Sequence, residues 1–133
     1  LGVEEGDPNE WKTMIDINIK ALLWTAKLTL AHLRQSKGHF IITSSATGRR
    51  AVKGSIYGAS KWFTYGFSQN LAQEVSEWDG RCTTITPGAV NTPFTDEARP
   101  DKLYPQDVAD AVLFAIEANQ RNNIREIHLR PTH

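Results

Sequence analysis

Three short apolar runs, each preceded by a long stretch with helical periodicity, limit most of what this chain can become. The runs are His39-Phe40-Ile41-Ile42-Thr43, Arg81-Cys82-Thr83-Thr84-Ile85-Thr86 and Ile124 to Leu129. They are brief, with β-branched residues throughout, as parallel strands buried on both faces tend to be. The order along the chain is helix, strand, helix, strand, helix, strand. Helices between successive strands call for right-handed crossovers and a parallel sheet. The expected fold class is α/β, with three parallel strands forming half of a doubly wound sheet. The 133 residues make one domain or a large part of one. In such sheets, ligands sit beyond the carboxyl ends of the strands.

The helices carry their own punctuation. Residues 1–6 read as a loop tail. Asp7 is placed as an N-cap, Pro8 as the first helical residue and Glu10 as the acid of a capping box. The spacing predicts one helix from Pro8 to about Ser36, stopped at Gly38. Trp11, Met14, Ile15, Leu22, Ala26 and Leu33 form one apolar stripe on it. Ile17, Ala21, Trp24, Leu28 and Ala31 form a second. A helix apolar over so much of its girth is expected to be covered on two sides: by the sheet and by a partner subunit. A second helix is predicted from about Ser55 to Trp78, closed by Asp79-Gly80. Pro105 opens a third, to about Ala118, with Val108, Val112, Phe114 and Ile116 as its apolar residues. Asn91 to Leu103 is a loop.

The chemistry gathers where the first strand ends. Ser44 and Ser45 follow that strand. A loop with Gly48, Arg49, Arg50 and Gly54 leads into the helix carrying Tyr57 and Lys61. Four residues apart, these two share a helix face. An ammonium beside a phenol favours the phenolate. A tyrosine so tuned can exchange a proton with a substrate oxygen, and a serine hydroxyl at the strand end can hydrogen-bond the same oxygen. These are the parts needed to interconvert an alcohol and a carbonyl. Pro87-Gly88 breaks the second strand at its carboxyl end, so two strand ends meet on the side where ligands bind. Arg49 and Arg50 read first as a solvated loop, and second as partners for a carboxylate or phosphate.

Other classes find little support. Lysine plus arginine equals aspartate plus glutamate, 15 against 15, with the signs interleaved. That argues against nucleic acid or a membrane surface as partner. No apolar run of membrane-spanning length occurs. Cys82 is the only cysteine, so no disulfide framework or thiolate metal site is expected. The four histidines have no ligand spacing.

Taken together, Ser45-x-x-Gly48 and Tyr57-x-x-x-Lys61 resemble the active site of the short-chain dehydrogenase/reductase family. Pro87-Gly88-Ala89-Val90-Asn91-Thr92 resembles the loop that lies under the nicotinamide ring in that family. Asp16-Ile17-Asn18-Ile19-Lys20 resembles the segment carrying its catalytic asparagine. The resemblance runs from about Asp7 to Pro131. It implies a Rossmann-like fold, NAD or NADP as cofactor, and Asn18, Ser45, Tyr57 and Lys61 as catalytic residues. Spacing prefers Ser45, with Ser44 as the alternative. Asn18 would mark a helix distortion whose main-chain carbonyl binds a water near the lysine. Tyr57, Lys61, Pro87, Gly88, Val90 and Thr92 would meet the cofactor. The substrate would be a small alcohol or ketone. The short segment between Thr92 and Pro105 favours a small polar substrate, such as a hydroxy acid or short ketone, and the closing Glu126-Ile127-His128-Leu129-Arg130-Pro131-Thr132 resembles the ending of family members acting on small 3-hydroxy acids. A homodimer or homotetramer is implied. With no secretory signal and no membrane-length apolar run in the sequence, the expected compartment is the cytoplasm.

The family's glycine-rich adenosine and pyrophosphate fingerprint does not occur in this sequence, nor does its Asn-Asn-Ala-Gly strand. The chain is therefore expected to be the C-terminal, catalytic half, with the N-terminal cofactor-binding half missing. The rival expectation is a truncated, non-catalytic fragment that self-associates through its long helices. A sugar-nucleotide epimerase also uses Tyr-x-x-x-Lys. The short Ser45-to-Tyr57 spacing and the Pro-Gly-x-Val-x-Thr loop argue against it.

Overall fold

The computed structural model describes residues 2–133; Leu1, the first residue of the expected loop tail, lies outside the described residues. The elements are α1 (Pro8–Ile15), a π turn (Asp16–Lys20), α2 (Ala21–Ser36), β1 (His39–Thr43), a 3-10 turn (Ala46–Arg49), α3 (Ile56–Ser76), β2 (Arg81–Pro87), α4 (Pro105–Glu117) and β3 (Glu126–Leu129). The strands form one parallel sheet in the order β1-β2-β3. This is the expected α/β architecture. Every residue of β2 is buried, as the central strand of a sheet covered on both faces requires.

Apart from the capping box expected at Glu10, which α1 does not form, the signals at the helix ends act as their chemistry suggests. The Asp7 carboxylate accepts from the Asn9 N–H at 2.8 Å, and Pro8 follows as the first helical residue. Lys37 leaves α2 in the left-handed region at φ 52°, and the Gly38 N–H reaches back to the Leu33 carbonyl at 2.7 Å. Ser55 caps α3 by accepting from the Gly58 N–H at 2.9 Å. On α4, Tyr104 is the N-cap, and its N–H donates to Asp107.

Two sequence expectations need revision. The single helix from Pro8 to Ser36 is three segments, because the chain winds as a π turn through Asp16–Lys20. A π turn widens the helix by one residue, and such turns gather at functional sites. On α4, the residues buried against β2 are Ala111 and Ala115. Phe114 and Ile116 are 66% and 53% exposed. Close helix–sheet approach needs small side chains there, so the large ones turn outward.

The main core joins Ala26 of α2, Phe40 and Ile42 of β1, Leu71, Ala72 and Val75 of α3 and Cys82 of β2. Of the first apolar stripe, Leu22, Ala26 and Leu33 pack in this core, while Trp11 and Met14 are half-buried along surface clefts and Ile15 is exposed. The second stripe lies wholly outside: Ile17, Trp24 and Leu28 are 64–67% exposed. Between α3 and the sheet a polar layer is satisfied internally. The Thr84 hydroxyl donates to Ser68 Oγ at 2.6 Å, and the Thr64 hydroxyl to the Ser60 carbonyl at 3.0 Å. No helix among the described residues is long and apolar enough to cross a membrane.

His39 opens β1 in a partly buried position. One ring nitrogen meets the Thr83 hydroxyl at 2.6 Å; the other, Nδ1, is buried without a partner. Burial first, and the Arg81 guanidinium second, push the imidazole down to about 4 from an ordinary 6.5. The folded chain therefore holds His39 neutral where the unfolded chain would take up a proton. The stability this supplies is complete above the unfolded value and is lost as pH falls through the folded one. The urea midpoint should drop from about pH 7 to about pH 4.5 by more in the wild type than in His39→Gln. Equal drops would contradict this account of the ring.

Candidate active site

β1 ends in two serines that the fold treats differently. Ser44 is 3% exposed, and its hydroxyl donates to the Lys61 carbonyl at 3.1 Å. Ser45 is extended and caps the 3-10 turn. Its Oγ accepts from the Thr47 N–H at 3.2 Å and from the Thr47 hydroxyl at 2.9 Å. Two accepted bonds leave the Ser45 hydrogen free to be donated. Ser44 is used in structure, and Ser45 remains available.

Gly48 explains how the turn sits so close to α3. A Cβ on it would lie 2.5 Å from the Lys61 carbonyl oxygen and 2.7 Å from its carbon. The turn and the helix touch backbone to backbone at the residue that carries the lysine. From the other side, Arg49 Nη1 reaches both Glu126 oxygens, at 2.5 and 2.6 Å, and its guanidinium lies 4.4 Å from the Tyr65 ring centroid. Glu126 also accepts from the Thr86 hydroxyl at 2.8 Å. One carboxylate thus joins the serine turn to the residue before Pro87. Arg49 keeps the exposure expected of a loop residue, but its guanidinium is paired with Glu126, and it does not line the cleft.

Tyr57 and Lys61 lie on the first two turns of α3. Lys61 Nζ is 5.7 Å from the Tyr57 ring centroid. Desolvation by burial lowers the Lys61 pKa from its ordinary value. Asn18 lies in the π turn, and its amide donates to Ser60 Oγ at 3.1 Å. Ser60 donates in turn to the Tyr57 carbonyl at 2.7 Å. The side chain of Asn18 is therefore tied to the turn of α3 that bears Tyr57, through a serine that sequence reading did not single out. The distortion that the resemblance implies at Asn18 takes the form of the π turn.

The second strand end supplies the facing wall. The Gly88 N–H donates to the Leu129 carbonyl at 2.7 Å. A Cβ on Gly88 would come within 3.3 Å of Pro131 and 3.4 Å of that carbonyl, so the close approach seen here is to the end of β3. Val90 pairs with Leu103 in an isolated bridge. This closes the base of the loop between them. Thr92 Oγ accepts from the Phe94 N–H at 3.3 Å. Phe94 reaches back over the tyrosine, with ring centroids 5.8 Å apart.

These pieces enclose one cleft of about 630 Å³, in the usual range for small-molecule sites. Ser45, Tyr57, Lys61, Pro87, Gly88, Val90 and Thr92 all line it. Asn18 does not. It borders the adjoining clefts, of about 650 and 330 Å³, and Lys61 is shared among all three. Ser60, Phe94, Arg99 and Glu126 were missed by sequence reading. Phe94 offered a faint signal, as an aromatic in a polar loop. Arg99 offered none, Ser60 meets Asn18 from 42 residues away, and Glu126, read only as part of the closing stretch, meets Arg49 from 77 residues away.

A parallel α/β sheet thus presents Ser45 beyond the end of β1, with Tyr57 and Lys61 on the first two turns of α3. Comparison with known proteins identifies the family. Residues 2–103 match the short chain dehydrogenase family, and the chain belongs to that family. It is 38% identical to an uncharacterized oxidoreductase of Staphylococcus saprophyticus over 134 residues, covering 97% of this chain and 57% of the relative. A serine dehydrogenase from Escherichia coli superposes with a TM-score of 0.86 at 30% identity, covering 98% of this chain and 57% of that one. An alcohol dehydrogenase from the archaeon Thermococcus sibiricus, complexed with 5-hydroxy-NADP, gives 0.90 at 25% identity, covering 99% and 58%. The chain therefore spans a little over half the length of these relatives.

Proposed function

We propose that the protein interconverts a small alcohol and its carbonyl compound, with Tyr57 exchanging the proton at the substrate oxygen. The observation that carries this reading is the convergence of Ser45, Tyr57 and Lys61 on one cleft walled by the Pro87–Thr92 loop. The Ser45 hydroxyl, its acceptor sites already used, donates to the substrate oxygen and polarises it. Tyr57 gives its proton to that oxygen in reduction and takes it back in oxidation. Lys61 replenishes Tyr57 through a relay that ends near Asn18 and the π turn.

The donor set fits a nicotinamide cofactor. Val90 offers main-chain groups, Thr92 a hydroxyl with its hydrogen uncommitted, and Lys61 an ammonium for a ribose. Bound there, NAD or NADP would supply or accept the hydride. The Thermococcus sibiricus neighbour, solved with an NADP derivative, supports the cofactor class. The test is loss of reduced-nicotinamide absorbance with short ketones and keto acids. Turnover is expected, and its absence across NADH and NADPH would overturn the reading.

The exposed stripe of Ile17, Trp24 and Leu28, with Trp62 48% exposed on α3, supports a homodimer or homotetramer built on these helices. Trp24→Glu should then shift sedimentation toward monomer. A wild type already monomeric at micromolar concentration would refute it.

A further inference from the structure

We infer that the substrate carries an anionic group, a carboxylate, and that Arg50 and Arg99 receive it. This rests on the functional reading above and narrows its substrate class. Both arginines line the same cleft as Ser45 and Tyr57. They enter from opposite walls: Arg50 follows the serine turn, and Arg99 belongs to the loop beyond Thr92.

Each has its backbone fixed and its guanidinium uncommitted. The Trp62 indole N–H donates to the Arg50 carbonyl at 3.3 Å. The Arg99 N–H donates to the Asn91 side chain at 2.8 Å. Among the described residues no carboxylate forms an ion pair with either guanidinium. The contrast with neighbouring Arg49, held by Glu126 and Tyr65, is direct.

The lining of the cleft sharpens the point. It includes Lys61, Arg50 and Arg99, and no aspartate or glutamate. A site with three cationic side chains and no acid favours an anion by its field alone. Guanidinium adds directed, charge-assisted hydrogen bonds to a planar carboxylate. A carboxylate held by the arginines would leave the alcohol or carbonyl end of a short molecule to Ser45 and Tyr57.

The test compares β-hydroxybutyrate with its methyl ester, which differs only by masking the charge. The wild type should prefer the acid in kcat/KM by about 10–100-fold. Arg50→Ala and Arg99→Ala should each remove most of that preference, chiefly by raising KM for the acid. Turnover of the ester with no preference for the acid would overturn the inference and leave the oxidoreductase reading standing. A rise in KM for NADPH, with the acid preference intact, would assign the arginines to a cofactor phosphate and also overturn it. If neither compound turns over, arginine side-chain NMR resonances still decide. Saturable shifts with β-hydroxybutyrate, absent with the ester, support the anion site. No shift refutes it.

Discussion

Tyr57→Phe should lower kcat for carbonyl reduction by about 10²–10⁴-fold, the usual contribution of a positioned general acid. The ring would stay where it is. Its tilted contact with Phe94 and its place on the first turn of α3 do not need the hydroxyl. KM should therefore move little, and the loss should appear in kcat and kcat/KM alike, the pattern of an interaction made only in the transition state. A fall of a few-fold only, measured with the same ketone and cofactor, would remove the phenol from the chemistry. A large rise in KM with kcat kept would make Tyr57 a binding residue instead.

Gly48→Ala should damage both stability and turnover. The added methyl would meet the Lys61 carbonyl carbon and oxygen at 2.7 and 2.5 Å, contacts that real Cβ atoms do not make. These are backbone atoms of a helix and cannot swing aside, so turn and helix must separate. Overpacking of this kind costs about 1–3 kcal/mol. The separation also moves Ser45 relative to Tyr57 and Lys61. A shift of about 1 Å can cost about 10²-fold in rate. Urea unfolding and kcat should both record the change. Unaltered stability would show that the turn can retreat freely. Unaltered kcat with lowered stability would show that the serine and the tyrosine need no common frame.

Much of this arrangement was legible in the residues. The β-branched runs marked the three strands, and the Asp7-Pro8 and Ser55 signals marked helix starts to within a residue. Period and capping are local properties, so a sequence states them openly. Tyr57 and Lys61 were equally plain, because a helix turns a four-residue spacing into a shared face. What stayed hidden depends on contacts distant in sequence. Asn18 meets Ser60, Arg49 meets Glu126, and Gly48 meets the Lys61 backbone. None of these pairs leaves a periodic trace. The exposed Phe114 and Ile116 were hidden for a related reason. Apolar character does not say which face a sheet will claim, and the claim went to the smaller Ala111 and Ala115.

The polar ties around the cleft share one consequence. The serine turn is held to α3 at Gly48 and to β3 at Glu126, while the Pro87–Thr92 wall is held to β3 at Leu129 and closed at Val90. The side chains of the candidate site thus stand on strand ends and one helix, with Phe94 and Arg99 on the loop above. Rigid placement of donor and acid relative to one oxygen is the condition for the proposed proton exchange to be fast.

The central claim is reduction and oxidation at a substrate carbonyl. The most direct test is mass spectrometry of the alcohol formed from a short keto acid with reduced cofactor carrying deuterium at both C4 positions of the nicotinamide. The account predicts a single deuterium on the carbinol carbon, delivered in normal water, with the hydroxyl proton drawn from solvent through Tyr57. An alcohol without deuterium, or no alcohol with either NADH or NADPH, would contradict it.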